Sequence, residues 1–166
     1  MAEITPFEKL QPCLLDRLTD DEPLNTQESR SQRVISMSRF RRGVLRDIEW
    51  LLNASAHLPE EGGGRWRLED FPDAHSSVIN FGSRQLSGLF APDMKEFERQ
   101  LTDAIRLFEP RIIAQSVSIH ASMDRNVIDI EIRGELWANP VPEQLFVKTN
   151  IDVETGLATL GDSTNG

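Results

Sequence analysis

Along residues 39–53 the apolar positions Phe40, Val44, Leu45, Ile48, Leu51 and Leu52 recur one, three or four residues apart, while Arg39, Arg42, Arg46 and Glu49 fill the opposite positions. That spacing predicts an amphipathic helix. Ser38 stands where an N-cap is expected, and Asn53, Ala54 and Ser55 suit a fading end. Gly43, inside the run, costs about 1 kcal/mol relative to alanine; it permits a close approach by another backbone or is a neutral surface glycine. A second helix follows, in which Met94, Phe97, Leu101, Ile105 and Phe108 step by three, four, four and three. Pro92 is placed to open it, and Asp93 suits its positive end. Pro110 ends it, because the residue before a proline is driven out of the helical region. This reads as the longest core helix, and Phe108, Glu109, Pro110 and Arg111 form its exit.

Beyond that exit the period falls to two. Val117, Ile119 and Ala121 alternate with Ser116, Ser118, His120 and Ser122; Ile128, Ile130 and Ile132 alternate with Asp129, Glu131 and Arg133; Asp124, Arg125 and Asn126 make the turn between them. A third run, Leu145 to Val153, follows a link through Pro140 and Pro142, and a turn at Glu154, Thr155 and Gly156 leads into a last strand over residues 157–160. Helices followed by an antiparallel meander predict an α+β fold, with amphipathic helices packed on a small antiparallel β-sheet.

The remaining stretches are connections. Residues 1–32 read as a flexible N-terminal segment in which Leu14, Leu15 and Leu18 lie at helical spacing, residues 33–160 as a single α+β domain, and residues 161–166 as a disordered tail. The three glycines of residues 60–66 lack the GK[ST] ending of a phosphate loop and read as a flexible connection. One short helix fits near residues 83–89.

Length and charge narrow the function. The 166 residues, 39 % hydrophobic, suffice for one core. With no run of eighteen apolar residues and no leader pattern, a cytoplasmic protein without membrane insertion is expected. A single cysteine, Cys13, and three histidines offer no metal spacing, and neither metal nor cofactor is expected. A net charge of -9 disfavours nucleic acid. Residues 30–46 nonetheless hold six arginines and no acid, either a solvated helix face or a footprint for an acidic protein surface.

Five stretches carry a resemblance: LLDRLTDDEP from Leu14, VLRDIEWLLN from Val44, SSVINFGSRQLSG from Ser76, AIRLFEPRI from Ala104, and NPVPEQLFVKTNIDVETGLATL from Asn139. In this order they resemble the TssE family of type VI secretion baseplates and the related lysozyme-like baseplate wedge proteins of contractile phage tails. The resemblance implies a structural subunit with no catalytic role, whose sheet resembles the strand-exchange domain of the sheath subunit and serves as the sheath's first layer. It implies partners among the other baseplate wedge subunits and the sheath subunits, in an assembly docked at the inner membrane. It makes Glu109, Pro110 and Arg111 the family's Glu-Pro-Arg motif, used to hold the subunit to the wedge. Phe81 departs from the pattern, which often has a hydroxylated aromatic between Asn80 and Gly82.

The residues leave two questions open. A carboxylate at the negative end of a helix dipole is unfavourable, so Glu109 needs compensation, from a partner or from Arg111 or an arginine of the first helix. With the resemblance, docking is favoured, and Leu14, Leu15, Leu18, Arg39, Arg42 and Arg46 join the corner as candidate contact residues; the leucines either fold back or hook a neighbour. The rival function is a peptidoglycan-cleaving glycosidase, for which Asp129 and Glu131, two apart on one strand face, are the best carboxylate pair. The wet side of an antiparallel sheet is the favoured reading of them.

Overall fold

The computed structural model describes residues 10, 12–18, 35–54, 71–82, 93–138 and 141–161. Four helices are present among them: α1 (Leu14–Leu18), α2 (Met37–Asn53), α3 (Pro72–His75) and α4 (Met94–Phe108). Four strands form one sheet in the order β1 (Ser118–Asp124), β2 (Val127–Leu136), β3 (Glu143–Asp152) and β4 (Ala158–Gly161), every pair antiparallel. The α+β expectation holds. The glycine-rich connection, the helix near residues 83–89, Pro92, Ser55, most of residues 1–32 and residues 162–166 lie outside the described residues.

Helix α2 begins two residues earlier than its sequence suggests. Ser36, rather than Ser38, is the N-cap, its hydroxyl accepting from Arg39 N–H at 3.3 Å. At 17 residues α2 is longer than α4 at 15, so the helix leaving through Glu109 is not the longest. Asp93 caps α4 directly, accepting from the N–H groups of Lys95 and Glu96, a bond that satisfies two orphan donors at the helix start. The last helical residue is Phe108, and Glu109 is the C-cap, as Pro110 requires.

One face of the sheet is dry. Ile128, Ile130, Ile132 and Leu136 of β2 and Leu145, Val147 and Ile151 of β3 are buried against Phe40, Val44, Ile48 and Leu51 of α2 and Phe97, Leu101 and Ile105 of α4. The alternation read from the sequence thus sets which side chains are inside. Helix α4 packs along β1 and α2 approaches β4. After Pro110 the chain crosses the end of β2: Ile113 N–H donates to Glu135 O at 2.8 Å and Trp137 N–H to Arg111 O at 2.7 Å. The crossing needs Gly134, where a Cβ would meet Ile112 Cγ2 at 2.9 Å. The corner after α4 is therefore stitched to the sheet by backbone bonds on both sides of Ile112.

Candidate functional site

The compensation of Glu109 is internal. Its side chain is buried, the residue being 3 % exposed. Arg111 reaches back two residues and grips it with both arms, Nε donating to Oε1 at 2.6 Å and Nη2 to Oε2 at 2.5 Å, while Arg111 N–H donates to Oε1 at 3.2 Å. Pro110 makes this reach possible by fixing a turn between the two charges. A forked, two-bond pairing is the strong form of the carboxylate–guanidinium contact.

The pairing does not stop there. Arg111 Nη2 also donates to Asp47 Oδ2 of α2 at 2.5 Å, Asp47 Oδ1 accepts from Arg46 Nε at 2.9 Å, and Arg46 Nη1 donates to Asp16 Oδ1 of α1 at 2.7 Å. Asp16 Oδ2 accepts from the Cys13 thiol at 3.0 Å. Five charges of alternating sign, Glu109, Arg111, Asp47, Arg46 and Asp16, so tie α1, α2 and the corner together. Arg111 is held above its already high usual pKa: burial lowers it, and the charges and hydrogen bonds of Glu109 and Asp47 more than reverse that. Arg46 is raised chiefly by its bond to Asp47. For Asp16, burial pushes the pKa up, but the Cys13 thiol and Arg46 outweigh it and hold the carboxyl below its usual value.

Gly43 belongs to this arrangement. A Cβ there would lie 3.2 Å from Asp16 Oδ2 and 3.5 Å from Arg111 Nη1, so the glycine is buried and admits two side chains, which is neither the backbone approach nor the neutral surface position that the sequence left open. The short helix α1 is seated by Asp16. Its leucines do not bury: Leu14 is 72 % and Leu18 73 % exposed, and Leu15, at 38 %, turns toward a groove of about 740 Å³.

Leu10, Leu15, Trp50, Phe81, Phe108 and Trp137 line that groove, together with Asp47 and all three residues of the Glu109–Pro110–Arg111 corner. Phe81 meets Phe108 edge to face, ring centroids 5.4 Å apart, a contact a hydroxyl is not needed for. Trp50 and Trp137 are exposed at the groove, and the Arg46 guanidinium lies 5.1 Å over the Trp50 ring.

The structure thus gathers Glu109, Pro110, Arg111, Leu15 and Arg46 at one place. Arg39 and Arg42 are exposed elsewhere on α2, and Arg41 pairs with Glu143. The arginine run is not one continuous stripe: Arg41 and Arg46 are engaged with acids of their own chain. Asp16, Asp47, Trp50 and Trp137 were missed by sequence reasoning. Asp16 carries a signal, as the one acid enclosed by three leucines in a five-residue helix; Asp47 directly follows the last arginine of the run.

The carboxylates of the rival function lie on the opposite, wet face of the sheet. Glu131 is bound by Lys148 at 2.8 Å and Arg133 at 3.1 Å, and the Lys148 bond foremost, then Arg133, lower its pKa. A general acid for glycoside cleavage needs the opposite shift. Among the described residues no group of three or more His, Cys, Asp or Glu is placed to hold a metal ion, and no helix is long and apolar enough to cross a membrane.

A family model described as baseplate wedge protein gp25 matches residues 38–141. The matched span holds α2 but for its first residue, α4, the Glu109–Arg111 corner and Trp137, and leaves out α1, β3 and β4. No curated protein matches the chain.

Proposed function

The chain belongs to the baseplate wedge protein gp25 family, and from that premise we propose that it is a structural subunit of a type VI secretion baseplate in the cytoplasm. It docks on other wedge subunits through the groove beside the Glu109–Arg111 corner. Its sheet offers a border on which strands of sheath subunits pair, so that the contractile sheath polymerises from it. It turns over no substrate.

The observation that carries this reading is the corner itself. Its charges are consumed by one another, which fixes the shape of the groove and removes the cost of desolvating unpaired ions when a partner covers it. What remains outward is apolar and aromatic: Trp50, Trp137, Pro110, Leu14 and Leu18. Exposed tryptophan beside a rigid arginine is the composition of an interface centre. In this reading Glu109, Pro110 and Arg111 shape the docking surface more than they bond the partner, and Arg39 and Arg42 supply peripheral charge that orients an acidic neighbour.

The test is Trp50→Ser with Trp137→Ser, two exposed positions whose loss leaves the core intact. The double variant is expected to fold normally yet fail to join the baseplate, measured as loss of fluorescent sheath structures in cells. Sheaths at the normal frequency would refute docking through the groove. Incubation of the purified protein with peptidoglycan is expected to release no fragments; release that Glu131→Gln abolishes would refute the structural role.

A further inference from the structure

The two borders of the sheet are closed by different chemistry. At β1 the Ala121 N–H donates to Glu98 Oε1 of α4 at 2.7 Å, with His120 Nδ1 3.3 Å from the same oxygen. Arg106 of α4 donates to Ala114 O at 2.9 Å and Val117 O at 3.5 Å just before the strand. A carboxylate at a strand border accepts from the edge and repels the carbonyls of any strand that approaches, which is how charged side chains blunt an edge. Helix α4 itself packs against β1.

At β4 the closure is neutral. Ala158 N–H donates to Asn53 Oδ1 at 2.9 Å, and Asn53 Nδ2 donates to Ala158 O at 3.1 Å and to Glu49 O at 3.0 Å. A carboxamide has the donor and acceptor of a peptide group. Here it takes both outward bonds of Ala158, as the next strand of the sheet would. Outward-facing residues alternate along an antiparallel strand, so Leu160 turns its N–H and C=O to the same border. No described side chain meets them.

We propose that the outer border of β4 is where an extended strand of a partner subunit pairs, and that Asn53 is the guard of that border, holding the rung at Ala158 and leaving the rung at Leu160 open. The inference rests on the strand-pairing function proposed above and adds which border is used and what limits it. The guard is displaceable. Asn53 is exposed at the last position of α2, so its own carboxamide passes from Ala158 to water, and the N–H and C=O of the buried Ala158 pass directly to the incoming strand. An incoming strand then replaces two side-chain bonds with two main-chain bonds, and pays for the exchange only in ordering. The carboxylate at β1 offers no such exchange, since a strand there must displace a charge.

The experiment uses the full chain, wild type and Asn53→Ala, with a synthetic eight-residue peptide of alternating threonine and valine. The same peptide N-methylated at alternate amides, unable to pair, is the control. Hydrogen exchange first checks the guard: the Ala158 amide exchanges slowly in the wild type and quickly in Asn53→Ala, while the Thr159 amide, facing β3, is unchanged. In peptide titrations followed by amide chemical shifts, Leu160 and Ala158 are expected to move. The affinity of Asn53→Ala should be about tenfold tighter, the scale of removing a competitor that makes two net hydrogen bonds. Equal affinity for the two proteins, at the β4 border, would overturn the guard and leave strand pairing standing. Shifts confined to Ile119, Ala121 and Met123 of β1, or none in Asn53→Ala at millimolar peptide, would overturn strand pairing at β4 itself. Asn53→Asp, which keeps the acceptor and loses the donor, should fall between wild type and Asn53→Ala; tighter binding than Asn53→Ala would contradict the account.

Discussion

The corner after α4 and the outer face of the sheet are built from the same residue types, and they do opposite things with them. At the corner, Glu109, Arg111, Asp47, Arg46 and Asp16 are drawn from three parts of the chain into one alternating sequence, and Glu109 is buried. On the sheet, Glu131, Lys148 and Arg133 form cross-strand and same-strand pairs in water, with the two cations also over the Phe146 ring at 5.5 and 5.3 Å. Burial is what separates them. Solvent screens the sheet charges, so each pair adds little. At the corner a missing partner leaves a charge that water cannot reach. The corner therefore acts as a joint whose geometry matters, and the sheet face as a soluble surface.

The comparison breaks first at Arg111. Arg111→Ala strands the buried Glu109 carboxylate and should lower the unfolding free energy by about 3–5 kcal/mol, read from urea denaturation. Arg111→Met combined with Glu109→Gln, which removes both charges, should recover most of that loss. If the double substitution is as destabilising as the single one, packing rather than charge holds the corner.

Asp16→Asn should have a smaller and local effect, because Asp16 joins only α1 to the rest. Loss of the Arg46 contact should free α1 without unfolding the domain, so that Cys13 reacts faster with a thiol reagent while the global transition is almost unchanged. Acid should reproduce this. The Asp16 carboxyl sits below its usual value of 3.8 in the folded protein. Its contribution is thus complete above that value and fades as the pH falls through the lower folded one. Cys13 protection independent of pH down to acid unfolding would show that α1 is held by something else.

The smallest effect is expected on the sheet. Lys148→Ala removes the nearest partner of Glu131, yet the urea midpoint should not move measurably, since both groups are solvated. A large shift would mean that the outer face is covered in the folded protein and that the contrast between the two regions is false.

How far the sequence discloses these regions follows from distance along the chain. The face of α2, the face of α4 and the inward residues of β2 and β3 are periodic and local, and the structure buries them as the periods predict. Pro110 announces the end of α4 for a reason contained in its own ring. The N-cap at Ser36 was displaced by two residues because Ser36 and Ser38 offer the same hydroxyl, their Oγ atoms 3.0 Å apart, and local pattern cannot choose between them. The joint was hidden for a different reason. Arg46 reaches Asp16 across 30 residues, Arg111 reaches Asp47 across 64 and Asn53 reaches Ala158 across 105. No spacing rule links such pairs. Only the proximity of Glu109 to Arg111, two residues apart, put one link of the joint in view. The same limit explains Trp50 and Trp137, which share a groove that exists only once α2 and the end of β2 are brought together.

The central claim is that the groove beside the joint and the border of β4 are the surfaces this subunit lends to its assembly. Hydrogen exchange of the protein free and incorporated into the baseplate with sheath attached tests it most directly. The account predicts new protection in α1, around Trp50, at Trp137 and at Leu160, with Asp129, Glu131 and Lys148 on the outer face of the sheet unchanged. Protection confined to that outer face, with the groove and the β4 border exchanging as in the free protein, would contradict it.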